Sequence, residues 1–459
     1  MEANVRNSLG EAPVKKLLMK FSIPSIISMI VGALYNIVDQ FFIGRSVGTL
    51  GNAATNVVFP LSISCVALSL LFGIGGASNF NLSMGAKKEK EATYYIGNSA
   101  ILLFISGIIL FVIVQLFLSP MLKAFGAPDN IMDYTKTYTM ITSFGFPFLI
   151  FSTGGGHLIR ADGSPKYTMI CNLSGAIINT ILDPILIFGF NMGMAGAAIA
   201  TIVGQIFSAI LAFCYLRKCK TVTLKLKHLI PKLKYILRIT SLGASPFFNQ
   251  IAMMVLQIVM NNSLTYYGSL SSYGDSIPLA CSGIIAKVNM IFFSVIIGIS
   301  QGLQPIASFN YGAQKYPRVK EAYLTAMKWG MIISVISFLM FQLIPRQIIS
   351  LFGSGSEMYY QFAESYFRIF LFFTFLNFIQ PISSNFFTAI GKPMQGIILA
   401  LTRQIIVLLP FIIILPLFMG IDGIMYAGPI ADLVAALIGI FLAYKELKLM
   451  KLEYKKLSA

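Results

Sequence analysis

Six ionisable residues placed deep within long apolar runs of this sequence stand out: Asp39, Asp183 and Asp432 among the acids, and Lys287, Arg403 and Arg368 among the bases. A charge at such depth in hydrocarbon is costly, so residues of this kind line a cavity, pair with one another or handle an ion. Ser28, Gly32, Tyr35 and Asp39 follow steps of four, three and four, which a helix gathers into one small and polar stripe. Asn172, Ala176, Asn179 and Asp183 form a second stripe of the same kind. Pro184 has no N–H, so the carbonyl of Thr180 loses its helical donor, and a kink falls beside a carboxylate and Asn179. Gly196, Ala200 and Gly204 recur every four residues and let a neighbouring helix come close, with Thr201 next to that groove. Oxygen ligands of this sort suit a hard cation such as sodium. Alternatively, two carboxylates in a poorly solvated site repel each other, and one of them can carry a proton.

The second group is more open. Asp432 lies about 12 Å from the outer end of the last span by helical rise, and Lys287 enters its own span to a similar depth, so the two could pair. Arg403 reaches the same depth from the other side and is the rival partner for Asp432. With Asn36 and Asn172, these three are the candidates for substrate contact or gating. No HExxH, GxSxG, phosphate-binding loop or clustered His and Cys set is present, which argues against an enzyme, an ATP-driven pump or any cofactor.

The elements that must position these residues follow from composition. Of 459 residues, 56% are hydrophobic and 11% charged, which excludes an ordinary soluble protein. A hydrocarbon core of about 30 Å needs about 20 apolar residues per helix. Runs of that length fall near 17–43, 55–83, 93–118, 134–157, 167–190 and 194–216, then near 236–267, 278–308, 322–345, 359–387, 395–419 and 424–444. Numbering the connections alternately puts 26 Lys and Arg on one side and 3 on the other, the rest lying in or at the edges of spans. The positive-inside rule then predicts a multi-pass protein of the cell membrane with both termini cytoplasmic. It also accounts for a net charge of +17 without nucleic acid. The basic 217–238 stretch is expected against anionic lipid. The five cysteines show no metal-ligand spacing and read as free, buried thiols.

Short matches recur at nearly one offset. Met84-Gly85-Ala86-Lys87-Lys88 matches Tyr311-Gly312-Ala313-Gln314-Lys315, Gly193-Met194-Ala195-Gly196 matches Gly420-Ile421-Asp422-Gly423, and Ala161 to Pro165 matches Ala389 to Pro393. Ser119-Pro120, Phe125-Gly126 and Tyr138 likewise correspond to Ile344-Pro345, Phe352-Gly353 and Tyr366. The chain therefore reads as a tandem duplication. Its predicted fold is all-α and membrane-embedded, with twelve transmembrane helices in two six-helix lobes related by a pseudo-twofold axis along the membrane normal. The expected domains are an N-terminal lobe over 1–220, a basic cytoplasmic linker over 221–235 and a C-terminal lobe over 236–459.

At these residues the sequence resembles the multidrug and toxic compound extrusion (MATE) transporters. The resemblance rests on Tyr35 to Gly44, on Asn179 to Gly189 and on Gly193 to Thr201, and extends over essentially the whole chain. It implies export of amphipathic, mostly cationic, small organic drugs by alternating access in exchange for H+ or Na+, by a monomer in the lipid bilayer. It also implies that Asp39, Asn179, Asp183 and Thr201 form the cation site, with Tyr35 nearby. Helices 7 and 10 offer Gln257, Asn261, Asn377 and Gln380 where some branches carry carboxylates. The rival transport reading is a lipid-linked oligosaccharide flippase of a related two-lobe fold, which would need a strongly cationic cavity.

Overall fold

The computed structural model describes residues 9–127, 129–274, 276–351 and 356–458, and within them the secondary structure is helical. In the first half, α1 spans Val14–Val47, α2 Thr49–Gly85, α3 Glu89–Leu116, α5 Pro165–Pro184 and α6 Gly193–Leu216. In the second half, α7 spans Leu233–Ser269, α8 Ser276–Gly312, α9 Tyr316–Leu343 and α12 Ile421–Ser458. Eleven spans among the described residues are long and apolar enough to cross a membrane.

The fourth expected span, 134–157, is two shorter helices, Met132–Ser143 and Phe146–Ala161, together called α4. Gly145 at the joint and Pro147 just after it explain the break, because Pro147 cannot donate to the carbonyl of Ser143. The tenth span, α10, is likewise divided into Glu357–Phe370 and Ile379–Ala389, with Pro381 early in the second piece. The eleventh, α11, begins at Pro393–Leu401 and passes through a π-helical turn, Thr402–Leu408, before Leu409–Ile414. In α5 the helix continues past Pro184 into a second π turn, Ile185–Gly189, which is how the expected kink is built. Pro24 sits well inside α1.

The duplication is visible in the backbone. Lys87 and Gln314 adopt φ of 60° and 57°, Gly163 and Gly391 86° and 81°, and Gly193 and Gly420 50° and 60°. Left-handed conformations are rare outside glycine, so a shared one at matching positions of each half is specific. The Phe352-Gly353 match lies outside the described residues.

The two six-helix lobes meet through α1, α2, α7 and α8, chiefly at the end that carries both termini, here called the basic end. A Cβ on Gly75 would overlap the Ile239 carbonyl, and one on Gly243 the Leu71 carbonyl, so α2 and α7 touch backbone to backbone. Gly298 and Gly302 of α8 lie in the same way on Ile26 and Ser22 of α1. Gly85 rests on the Phe309 carbonyl and Gly312 on the Leu82 carbonyl, joining α2 to α8. Close approach of this kind suits a membrane interior, where packing and not water exclusion drives helix association. Leu17, Leu18 and Phe21 of α1 share a core with Leu303 and Ile306 of α8, while Tyr235 and Ile239 of α7 are buried with Tyr95 and Ile96 of α3.

The stretch between the lobes is clasped to the first half. Asn98 of α3 donates to the His228 carbonyl at 3.0 Å and accepts from the Lys232 N–H at 2.8 Å. Tyr94 stacks on Tyr235 with ring centroids 5.0 Å apart. Buried Asp162, in the loop after α4, accepts hydrogen bonds from the Tyr215 hydroxyl at 2.8 Å, the backbone N–H of Lys220 and Thr221 at 2.6 and 3.1 Å, and the Thr221 hydroxyl. All five cysteines are free; Cys65, Cys171 and Cys281 are buried as expected, Cys219 is half-buried and Cys214 is exposed, a departure from that expectation.

Candidate functional site

The first site is built by α1, α4, α5 and α6. Gly175 of α5 lies against Gly204 of α6, and the Ser208 hydroxyl donates to the Cys171 carbonyl at 2.8 Å, so the two helices are nearly in backbone contact. That approach lets Asn179 Nδ2 reach Thr201 Oγ1 at 3.3 Å, while the Thr201 hydroxyl donates back to the Ala197 carbonyl at 3.0 Å. Asp39 and Asp183 are both buried and their carboxyl groups face each other. Asp39 Oδ1, Asn179 Oδ1 and both carboxylate oxygens of Asp183 are buried acceptors that receive no hydrogen bond from the protein. Such acceptors call for a donor or a cation, since an unmatched buried polar atom is expensive. The Tyr35 and Tyr138 hydroxyls both approach Thr201 beside the two carboxylates.

Asp39, Asp183, Asn179, Thr201 and Tyr35 are thus brought together. Tyr138 was not singled out from the sequence as a site residue. Its signal was its place in a Thr-rich span with Thr135, Thr139 and Thr142, where the break at Phe144 and Gly145 turns the outer piece toward α6. Asn172 shares the α5 stripe but is only half-buried and lies about three turns from Asp183. A cavity of about 510 Å³ opens at the outer ends of these helices, lined by Arg45, Tyr134, Ile187, Phe188 and Asn191 among others.

In the second half Asp432 is committed. Arg403 Nε, carried on the π turn of α11, lies 2.7 Å from Asp432 Oδ1, and Asn377 Nδ2 donates to Oδ2 at 2.9 Å. The pairing of Asp432 with Lys287 does not form, because a hydrogen-bonded Arg occupies one carboxylate oxygen and Asn377 the other. Arg368 is exposed in the last turn of the first piece of α10, just before the helix breaks. His157 is packed at the inner end of α4, with Arg160 Nη1 3.1 Å from its Nδ1. Gln257 donates to Asn261 at 2.9 Å along α7.

Two helical lobes that meet at one end, with ionisable residues buried near mid-membrane, have the architecture of a membrane transporter. The sequence model of the family described as MatE matches residues 24–185 and 246–414, and the chain belongs to the MATE family. Multidrug export protein MepA of Staphylococcus haemolyticus (strain JCSC1435) is 26% identical over 437 residues, covering 95% of this chain and 94% of that protein. MepA of Staphylococcus aureus (strain MSSA476) is 25% identical over 435 residues, with the same coverage. Among solved structures, the fold matches an outward-facing conformation of a multidrug resistance MATE family transporter with a TM-score of 0.90 at 23% identity, over 97% of this chain and 98% of that one. A MOP superfamily transporter from Pyrococcus furiosus Vc1 matches with a TM-score of 0.89 at 22% identity, over the same shares of the two chains.

Proposed function

We propose that this chain is a multidrug exporter that expels amphipathic organic compounds, mostly bearing a cationic group, in exchange for H+ or Na+. The observation that carries this reading is the facing pair Asp39 and Asp183 with Asn179 and Thr201, a cluster of buried oxygens short of donors. An entering proton or sodium ion supplies what those oxygens lack. Its arrival neutralises the cluster, weakens its hold on a cationic drug and favours the conformer that binds the ion better. The basic end is then the cytoplasmic one, residues 1–220 and 236–459 are the moving lobes, and 221–235 is the tether. A monomer in the bilayer suffices for this cycle.

Dye uptake into proteoliposomes under separately imposed sodium and pH gradients tests the proposal. One of the two gradients drives wild-type transport, and Asp39→Asn and Asp183→Asn each reduce the driven rate at least tenfold while leaving passive dye leakage unchanged. Gradient-driven transport that survives both substitutions refutes the mechanism.

A further inference from the structure

Lys287 lies on the outer half of α8, and the packing of that helix against α1 sets its position. Where α1 and α8 touch, Ser22 meets Gly302, Ile26 meets Gly298, and the Ser294 hydroxyl lies 3.5 Å from the Met29 carbonyl. The two helices run antiparallel in this regular register, which carried two turns outward sets Lys287 opposite Asn36. On the inner half of α8 the arc through Gly298, Gln301, Gly302 and Gln304 is buried against α1 and α2. On the outer half the same arc carries Leu279, Gly283, Lys287 and Met290, all exposed, while Cys281, Ile284, Ile285 and Val288 on the other side are buried in the second lobe. The exposed arc is therefore the wall of a cleft between the lobes and not a lipid-facing surface. Asn36 on the opposite wall is exposed too, and α7 brings Gln250, Gln257 and Asn261 onto the continuation of its Gly243 face.

Among the described residues, Lys287 makes no hydrogen bond and no ion pair. The acid at matching depth, Asp432, is held by Arg403 and Asn377. Asp39 points to a different side of α1, along the stripe that faces α5. A cation placed in neutral amide surroundings, at a depth where charge is costly, needs an anion from outside the chain. We infer that Lys287 binds the carboxylate of a zwitterionic amphipath whose amine is directed to the acidic cluster of the first lobe. This rests on the proposed drug export and assigns to it a residue that recognises the carboxylate. A single flexible ammonium suits one carboxylate. A diphosphate would call for several bases, which the cleft wall of α8 lacks.

The test uses purified full-length protein in detergent, with no ion gradient, so a failure of ion coupling is not read as a failure of Lys287. The probes are an arylamine carboxylate and its methyl ester, identical in ring body and amine. Wild type is expected to bind the carboxylate better, Lys287→Met to weaken it about tenfold with the ester unchanged, and Lys287→Arg to restore most of the difference. Equal effects of Lys287→Met on both probes, or no preference for the carboxylate in wild type, including no binding of it, overturns the inference. Transport of the ester by Lys287→Met under an imposed gradient, still abolished by Asp39→Asn, reports separately on the proposed exchange.

Discussion

At the scale of single residues, charge inside this protein falls into two kinds: groups whose partners the chain supplies and groups whose partners it does not. Asp432 belongs to the first, with Arg403 and Asn377 on its two oxygens. Removing one partner of a buried pair leaves the other uncompensated, so Asp432→Ala is expected to destabilise by about 3–5 kcal/mol. Replacing both members with apolar residues of similar size should be far milder. Thermal unfolding in detergent of the single and double variants checks this. If the double variant is the worse of the two, the pair is not acting as a structural ion pair. The acids themselves were legible in the sequence because so few charges occur at depth. Which base each one meets was not, since pairing depends on how α11 and α12 are rotated, and the π turn that carries Arg403 has no distinctive sequence mark. The break in α4 was legible in retrospect from Gly145 and Pro147, but hydropathy averaged over a window hides a two-residue joint.

At the scale of elements, glycines decide where helices meet. Gly75 and Gly312 lie on backbone carbonyls of α7 and α2, so a larger side chain at either must push the lobes apart at the basic end. Gly75→Leu and Gly312→Leu are expected to open that end and to slow export at least tenfold. Thiol labelling at a cysteine placed on the basic end of α2, in a background without the native cysteines, should rise in both variants. Unchanged labelling with full activity would show that the contact is not a closing one. The connecting stretch makes a different prediction. His228 Nδ1 accepts the Lys225 N–H at 3.0 Å, so the ring is neutral on that side. Partial burial and the nearby lysines Lys227, Lys225 and Lys232 hold its pKa below the usual histidine value. A histidine whose folded value is depressed contributes fully above its ordinary range and loses that contribution as pH falls below about 6.5. Proteolytic nicking within 217–238 should therefore rise between pH 7 and pH 5, and His228→Ala should remove the pH dependence. Composition marked this stretch only as basic; its docking on Asn98 and Tyr94 is a tertiary matter.

At the scale of the whole molecule, the repeat was the most legible feature, because turn residues with special backbone conformations leave a mark that apolar spans do not. Helices α2 and α8 have the same length and the same 227-residue offset at both ends, as do α3 and α9. The contacts between the halves obey that offset: Gly85 on Phe309 becomes, when the halves are exchanged, Gly312 on Leu82. Such a reciprocal contact is isologous, the kind two identical subunits make around a twofold axis. In a dimer of identical chains each substitution would strike both sides of the axis together. Joined in one polypeptide, the halves are free to differ. The shift of 222 that takes Pro24 to Pro246 and the end of α1 at Val47 to the end of α7 at Ser269 takes Asp39 to Asn261. The glycine contact is thus kept in duplicate while the carboxylate is kept once, so under the proposed exchange a symmetric scaffold would carry its ion chemistry on one side and leave the opposite wall for cargo.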